Sequence, residues 1–372
     1  MLPGISYNGA MLRDLPSIAV LGLSCALAIL LSSKEARAAC VVEAPASGKT
    51  RLLVKHLAPD CTSAEREANA VSGVAVMDAI AKGQLVDLIG VVVKGDLSFD
   101  SLVVQTAQMP KGLTPAQWAA LDQLNVEELR LVREPVTIRD SVVLGSVRHR
   151  SAKGRLQFEG PVDFQGTTFR EGVDLSRAVF QGAVNLSGTT FEKEAYFVQG
   201  QFTHALGCKD TKFGPHTRFH RSVFRGAVDC TAARFDGMAE ILEVSFEQPV
   251  SFARARFGQG TGFSGSRFKR HANFEEAIFS REAFFGFAVF EGEASFSGAQ
   301  FLGSVDFSDA EFKQPDDLAK VRFDQKPLFT RTKRIDQDQT TGLLQSPGGQ
   351  YAVTLFFLLA AAILVAYAVK LK

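Results

Sequence analysis

The sequence has almost no net charge. Its 41 Lys and Arg against 40 Asp and Glu leave +1 over 372 residues, so bulk electrostatics makes no case for nucleic-acid binding. Histidine is scarce at six, tyrosine at four and tryptophan at one. No Ser/His/Asp spacing stands out, and no His/Cys cluster has metal-ligand spacing. That leaves no catalytic residue, metal ligand or cofactor site to name. His216 and His220 are four apart, a spacing that shares one face of a helix but not of an extended chain. Cysteine is sparse as well, at five.

Phenylalanine is the exception, at 31 residues. From Phe158, every step of eleven residues lands on Phe, through Phe169, Phe180 and Phe191 up to Phe312. A second series sits six residues after the first: Phe164, Leu175, Leu186, Phe197, Cys208, Phe219, Cys230, Ile241, then Phe at each step from Phe252 to Phe307. The two series hold 24 of the 31 phenylalanines, which makes them an internal repeat rather than a bias of composition. Two residues before a ladder position the side chain is nearly always small or β-branched, as in Val162, Thr167, Val173 and Ala178; Leu206 is a large exception. Neither a 3.6 nor a 2.0 period fits. The pattern suits a coil of short straight sides. The small and the large residue point inward, and the one between them points out.

Units such as Ala272-Asn273-Phe274 and Val162-Asp163-Phe164-Gln165-Gly166 resemble the pentapeptide-repeat family, whose unit is Ala-(Asp/Asn)-(Leu/Phe)-x-x. The resemblance implies a mainly β chain, a right-handed quadrilateral parallel β-helix with four units per coil. The six-five alternation departs from the strict five-residue period. It implies about 22 residues per coil, with one extra residue at every second corner. About seven coils at a rise of roughly 4.8 Å give a rod of about 34 Å.

Around this solenoid the chain divides further. Residues 1–38 read as a secretory signal. The apolar run 17–31 is short for a membrane span, and Ala36-Arg37-Ala38 suits cleavage before Ala39. Residues 39–157 read as a small α/β N-terminal capping region. Its helix is expected over 62–82, opened by a Thr62/Glu65 capping box and stopped by Gly83. β character follows over 86–106, then a short helix carrying Trp118, then strands over 129–147. Ser47-Gly48-Lys49-Thr50 is half of a phosphate-binding loop, but Glu43 stands where the loop needs glycine. Residues 158–312 are the solenoid and 313–350 a linker. Residues 351–369 are 19 uncharged residues, long enough for a C-terminal transmembrane helix. Lys370 and Lys372 beyond it favour a cytoplasmic C-terminus, which leaves the solenoid on the extracytoplasmic (periplasmic) side of a single-pass protein.

After cleavage four cysteines remain, an even count that fits an oxidising compartment. Cys40 and Cys61 flank a polar loop and are the candidate disulfide. Cys208 and Cys230, 22 apart on the ladder, are expected to fill their slots as small hydrophobes. Lys212, Arg234 and Arg256 recur at the same 22-residue spacing and should stack on one outer face. They are the candidate anion-binding stripe, for lipid head groups, against a plain solvated face. The function expected from all this is a non-enzymatic, membrane-anchored interaction or scaffold module with a protein partner that the sequence does not name. The family resemblance supplies an alternative, a DNA mimic that protects or inhibits a topoisomerase such as gyrase. That reading needs an acidic rod. Residues 158–312 hold 20 acidic and 15 basic residues, a difference of −5, which is close to balanced.

Overall fold

The computed structural model describes residues 40–42, 52–105, 128–150 and 154–335. Each ladder unit is a strand of two or three residues, too short to bury an apolar face alone and stable only when stacked. Strands one coil apart pair in parallel at 22-residue spacing. Val162–Asp163 lies on Val184–Asn185, Thr168–Phe169 on Thr190–Phe191, Val173–Asp174 on Ala195–Tyr196 and Val179–Phe180 on Gln201–Phe202. These begin sides one to four of the coil, whose sheets hold 11, 11, 9 and 9 strands among the described residues. At about 4.8 Å per coil, about ten turns make a stack of roughly 48 Å. The solenoid lies within Val41–Lys372, the second of two units of the chain.

The rings form continuous columns inside. On side four Phe268 stacks on Phe246 at 5.1 Å and under Phe290 at 4.6 Å, within 8° of parallel. Edge-on contacts join columns, as between Phe268 and Phe274 at 5.9 Å and 79°. Offset stacks and edge contacts are the arrangements that ring quadrupoles favour.

The six-five alternation is a difference in corners. Each five-residue side closes through a tight turn, such as Phe263 to Ser266, where the Ser266 N–H donates to the Phe263 carbonyl at 3.1 Å. The third residue of that turn has positive φ in coil after coil: Arg177, Gln199, Arg221, Glu243, Gly265, Phe287, Asp309 and Arg331, the mark of a type II turn. The fourth residue is the small one. At several Ser and Thr positions the hydroxyl donates to a carbonyl one coil back: Thr189 to Phe164 at 2.8 Å, Thr211 to Leu186 at 2.6 Å and Ser266 to Ile241 at 2.6 Å. A small hydroxyl there satisfies a buried acceptor without crowding the rings.

Both expected ends of the solenoid move outward. The four sheets continue back through Val136–Arg139, Val142–Val143 and Val147–Arg148 to Leu85–Ile89, Val92–Lys94 and Leu97–Ser98. Much of the stretch expected as a separate cap is therefore solenoid, with Val, Leu and Ile in the ring slots. Beyond Phe312 the ladder continues as Leu318, Phe323 and Phe329. Phe323 stacks on Phe301 at 5.3 Å and Phe329 on Phe307 at 5.4 Å.

The helix expected over 62–82 is two helices, α1 (Ser63–Ala68) and α2 (Gly73–Ala81). The Thr62/Glu65 capping box is present. Between the helices Val71–Ser72 pairs with Val93 and Lys94, and the Ser72 hydroxyl caps α2. A β-branched residue and a capping serine, placed beside a free strand edge, overrode the continuous helical pattern.

The stacked cysteines are also corrected. Cys208 and Cys230 are joined by a disulfide, with Cα atoms 4.4 Å apart. In-register parallel stacking delivers that separation at the short end of the disulfide range. Cys40 and Cys61 are both disulfide-bonded as well. The signal segment 1–38, the 47–50 loop, the Trp118 helix, the linker beyond 335 and the apolar segment 351–369 lie outside the described residues. No helix among the described residues is long and apolar enough to cross a membrane.

One ladder slot holds His149, 3% exposed, between Phe99 and Leu175 on side three. Burial depresses its pKa below the ordinary histidine value, against an opposing pull from Asp100. The native state therefore keeps His149 neutral while the unfolded chain protonates it. Its cost to stability is absent above the unfolded pKa and grows as pH falls through it. His149→Phe is expected to raise the melting temperature more at pH 5 than at pH 8. An equal shift at both pH values would remove His149 from the acid response.

Candidate interaction surface

The outward residues decide what the stack can bind. On side two Lys212 pairs in register with Arg234, and Arg234 with Arg256. All three are exposed, so the stripe forms a column. It does not stand alone. Asp236 lies 3.5 Å from the Lys212 ammonium and 3.5 Å from the Arg234 guanidinium, so one carboxylate serves two of the three charges. Arg256 has no ion pair among the described residues. The column ends where Ile278 takes the next place.

Elsewhere polar side chains pair mostly along the axis, one coil to the next. Arg221 binds Glu243 at 2.8 Å, Lys269 binds Glu247 at 3.3 Å and Arg331 binds Asp309 at 2.6 Å. The Arg221 hydrogen bond holds the Glu243 carboxyl below its usual range, and the Arg331 hydrogen bond does the same for Asp309. On side one Asp163, Asn185, Asp229 and Asn273 each accept a hydrogen bond from the N–H two residues on, which fixes the exit of the strand.

Side three gathers a cluster that sequence spacing did not reveal. The Tyr196 hydroxyl lies 3.4 Å from His216 Nδ1, and Glu240 Oε1 lies 3.2 Å from His216 Nε2. The Arg218 guanidinium donates to Glu240 at 2.8 Å and covers the Tyr196 ring at 5.2 Å. Burial pushes the Tyr196 hydroxyl pKa up. The members are 2, 20, 22, 24 and 44 residues apart, so only a layout of the sequence at 22 per row brings them together. His220 lies apart from His216, as its spacing on an extended chain implies, and meets Glu243 at 3.5 Å. No group of three His, Cys, Asp or Glu side chains that could hold a metal occurs among the described residues.

The arrangement is an array of coil-to-coil pairs on flat sides. Its repeat is also recognised by comparison. The family described as "Pentapeptide repeats (9 copies)" matches residues 157–201, 241–289 and 274–322. No curated protein matches the chain. Among solved structures, trypsin-treated QnrB1, described as a plasmid-mediated fluoroquinolone resistance protein, is 15% identical, with 57% of this chain and 88% of that one covered and a TM-score of 0.16. A score that low carries no argument about this chain. The ladder, the four stacked sheets and the matched segments together show that residues 157–201 and 241–322 of this chain carry pentapeptide repeats.

Proposed function

We propose that this chain is a non-enzymatic, membrane-anchored interaction module whose solenoid stands on the extracytoplasmic side. The observation that carries the reading is the set of disulfide-bonded cysteines, Cys40, Cys61, Cys208 and Cys230. Such bonds persist in oxidising compartments and are rare in the cytosol. The coil-to-coil pairing adds support, because it engages polar groups in holding the stack and leaves broad, regular sides for contact. The apolar segment 351–369 supplies the anchor. A reporter enzyme that works only in the periplasm, fused at residue 340, is expected to be active. A reporter active only in the cytoplasm would reverse the topology.

In this reading the Lys212, Arg234 and Arg256 column faces lipid head groups, with Arg256 as its unneutralised end. Changing all three to Gln is expected to reduce sedimentation with anionic vesicles at low salt, with stability altered by under about 0.5 kcal/mol. Equal sedimentation would leave the column a solvated face.

A further inference from the structure

Side three carries a second feature, two coils beyond the Tyr196 cluster. Phe284 is 45% exposed and Phe287 66%, although the rings of both ladder series are buried. Phe284 stands in register between Gly262 and Asp306. The Leu242 side chain fills the space over Gly262: a Cβ added at Gly262 would meet it at 2.6 Å. A Cβ at Gly260 would meet nothing within 4 Å. Met238, 48% exposed, and Leu242 lie beside Phe284 on the coil before Gly262. The result is an aromatic knob beside an apolar patch.

Phe287 bears two costs at once. Its φ is +58°, where a bulky side chain is disfavoured, and its ring faces water. Glu243, Gly265 and Asp309 hold the same corner in neighbouring coils, so the turn itself has no need of Phe. Strain together with an exposed ring points to a contact outside the chain. The charges say of what kind. Arg218–Glu240, Arg221–Glu243 and Arg331–Asp309 are closed pairs. Glu282 and Asp306, which flank Phe284, have no ion pair among the described residues; Arg281 belongs to the corner before them.

We propose that this part of side three docks a partner protein segment that alternates apolar and basic side chains, with the apolar ones against Phe284, Phe287 and Leu242, and the basic ones against Glu282 and Asp306. The proposal rests on the interaction-module reading and names its surface and partner class. Anionic lipid does not suit an acidic rim. A second copy seated rim on rim would bring four carboxylates together, which complementarity disfavours.

The test uses the full-length protein in detergent and two labelled peptides, one alternating Leu and Lys and one alternating Leu and Glu. The Leu-Lys peptide is expected to bind at least tenfold more tightly than its counterpart. Phe284→Ser with Phe287→Ser should weaken it at least tenfold, with the melting temperature unchanged or raised. Glu282→Gln with Asp306→Asn should weaken it several-fold and flatten the salt dependence, whereas Glu275→Gln on side one should leave it unchanged. Equal affinity for the two peptides, no binding, or an unaltered Phe284/Phe287 double variant overturns the proposal. So does self-association that this double variant abolishes, which would assign the surface to a second copy. An active reporter at residue 340 alongside any of these outcomes would remove this surface and leave the module reading standing.

Discussion

Deleting Gly265 is expected to destroy cooperative melting of the coils beyond it, whereas one glycine inserted at the same place is tolerated. The asymmetry comes from the corners. Phe263 and Phe268 are five residues apart, and the turn between them is already as tight as its hydrogen bond allows. Four residues cannot turn that corner and still place Arg267 and Phe268 on Ser245 and Phe246. A one-residue shift turns every later inward ring outward. The loss exceeds about 5 kcal/mol, in the range reserved for disrupted cores. An added residue can loop out instead. The chain already carries extra residues at the same corner: Val147 pairs with Val173 at a spacing of 26, four more than 22, and Val93 pairs with Val143 at 50. Register is regained each time. Insertion should therefore cost under about 2 kcal/mol. Thermal melting by far-UV circular dichroism measures both. Equal loss from the two variants would mean that the corners do not buffer length.

Phe268→Ala is the second large effect. Its ring is fully buried and stacked on both sides, with edge contacts to the neighbouring column. Removing it leaves a cavity at the middle of a column and costs about 3–5 kcal/mol. In a stack whose coils touch only their neighbours, the damage is local first. Hydrogen exchange should rise in the coils holding Phe246 and Phe290 before it rises elsewhere. Phe284→Ala, one column away and exposed, should cost under about 0.5 kcal/mol. Similar costs for the two would contradict the assignment of inward and outward rings.

The ladder was legible because Phe is rare enough elsewhere for its spacing to show. From Phe312 the beat runs on through Leu318, Phe323 and Phe329 at six, five and six, but Gln314-Pro315-Asp316-Asp317 reads locally as a terminator and hides it. The early coils were harder. Val86, Leu88, Val93, Ile138 and Val143 fill the slots there, and Val and Ile also suit an ordinary strand. The 26- and 50-residue spacings break any fixed period. The basic column was readable because its spacing equals the coil length. The Tyr196, His216, Arg218 and Glu240 cluster was not, because two columns contribute to it. The Cys208–Cys230 bond follows from the Cα separation that one-coil stacking sets, which the apolar character of the slots does not reveal.

The central claim is a stack of 22-residue coils in register, in an oxidising compartment. Peptide mapping of membrane-derived protein, alkylated without reduction, tests it most directly. Coils of 20 residues would set Cys208 beside Val228, and only a 22-residue coil sets it beside Cys230. The account predicts one fragment linking Cys208 to Cys230 and a second linking Cys40 to Cys61. Alkylated Cys208 and Cys230 in protein treated with a mild oxidant, or a bond from either to Cys40 or Cys61, would contradict it.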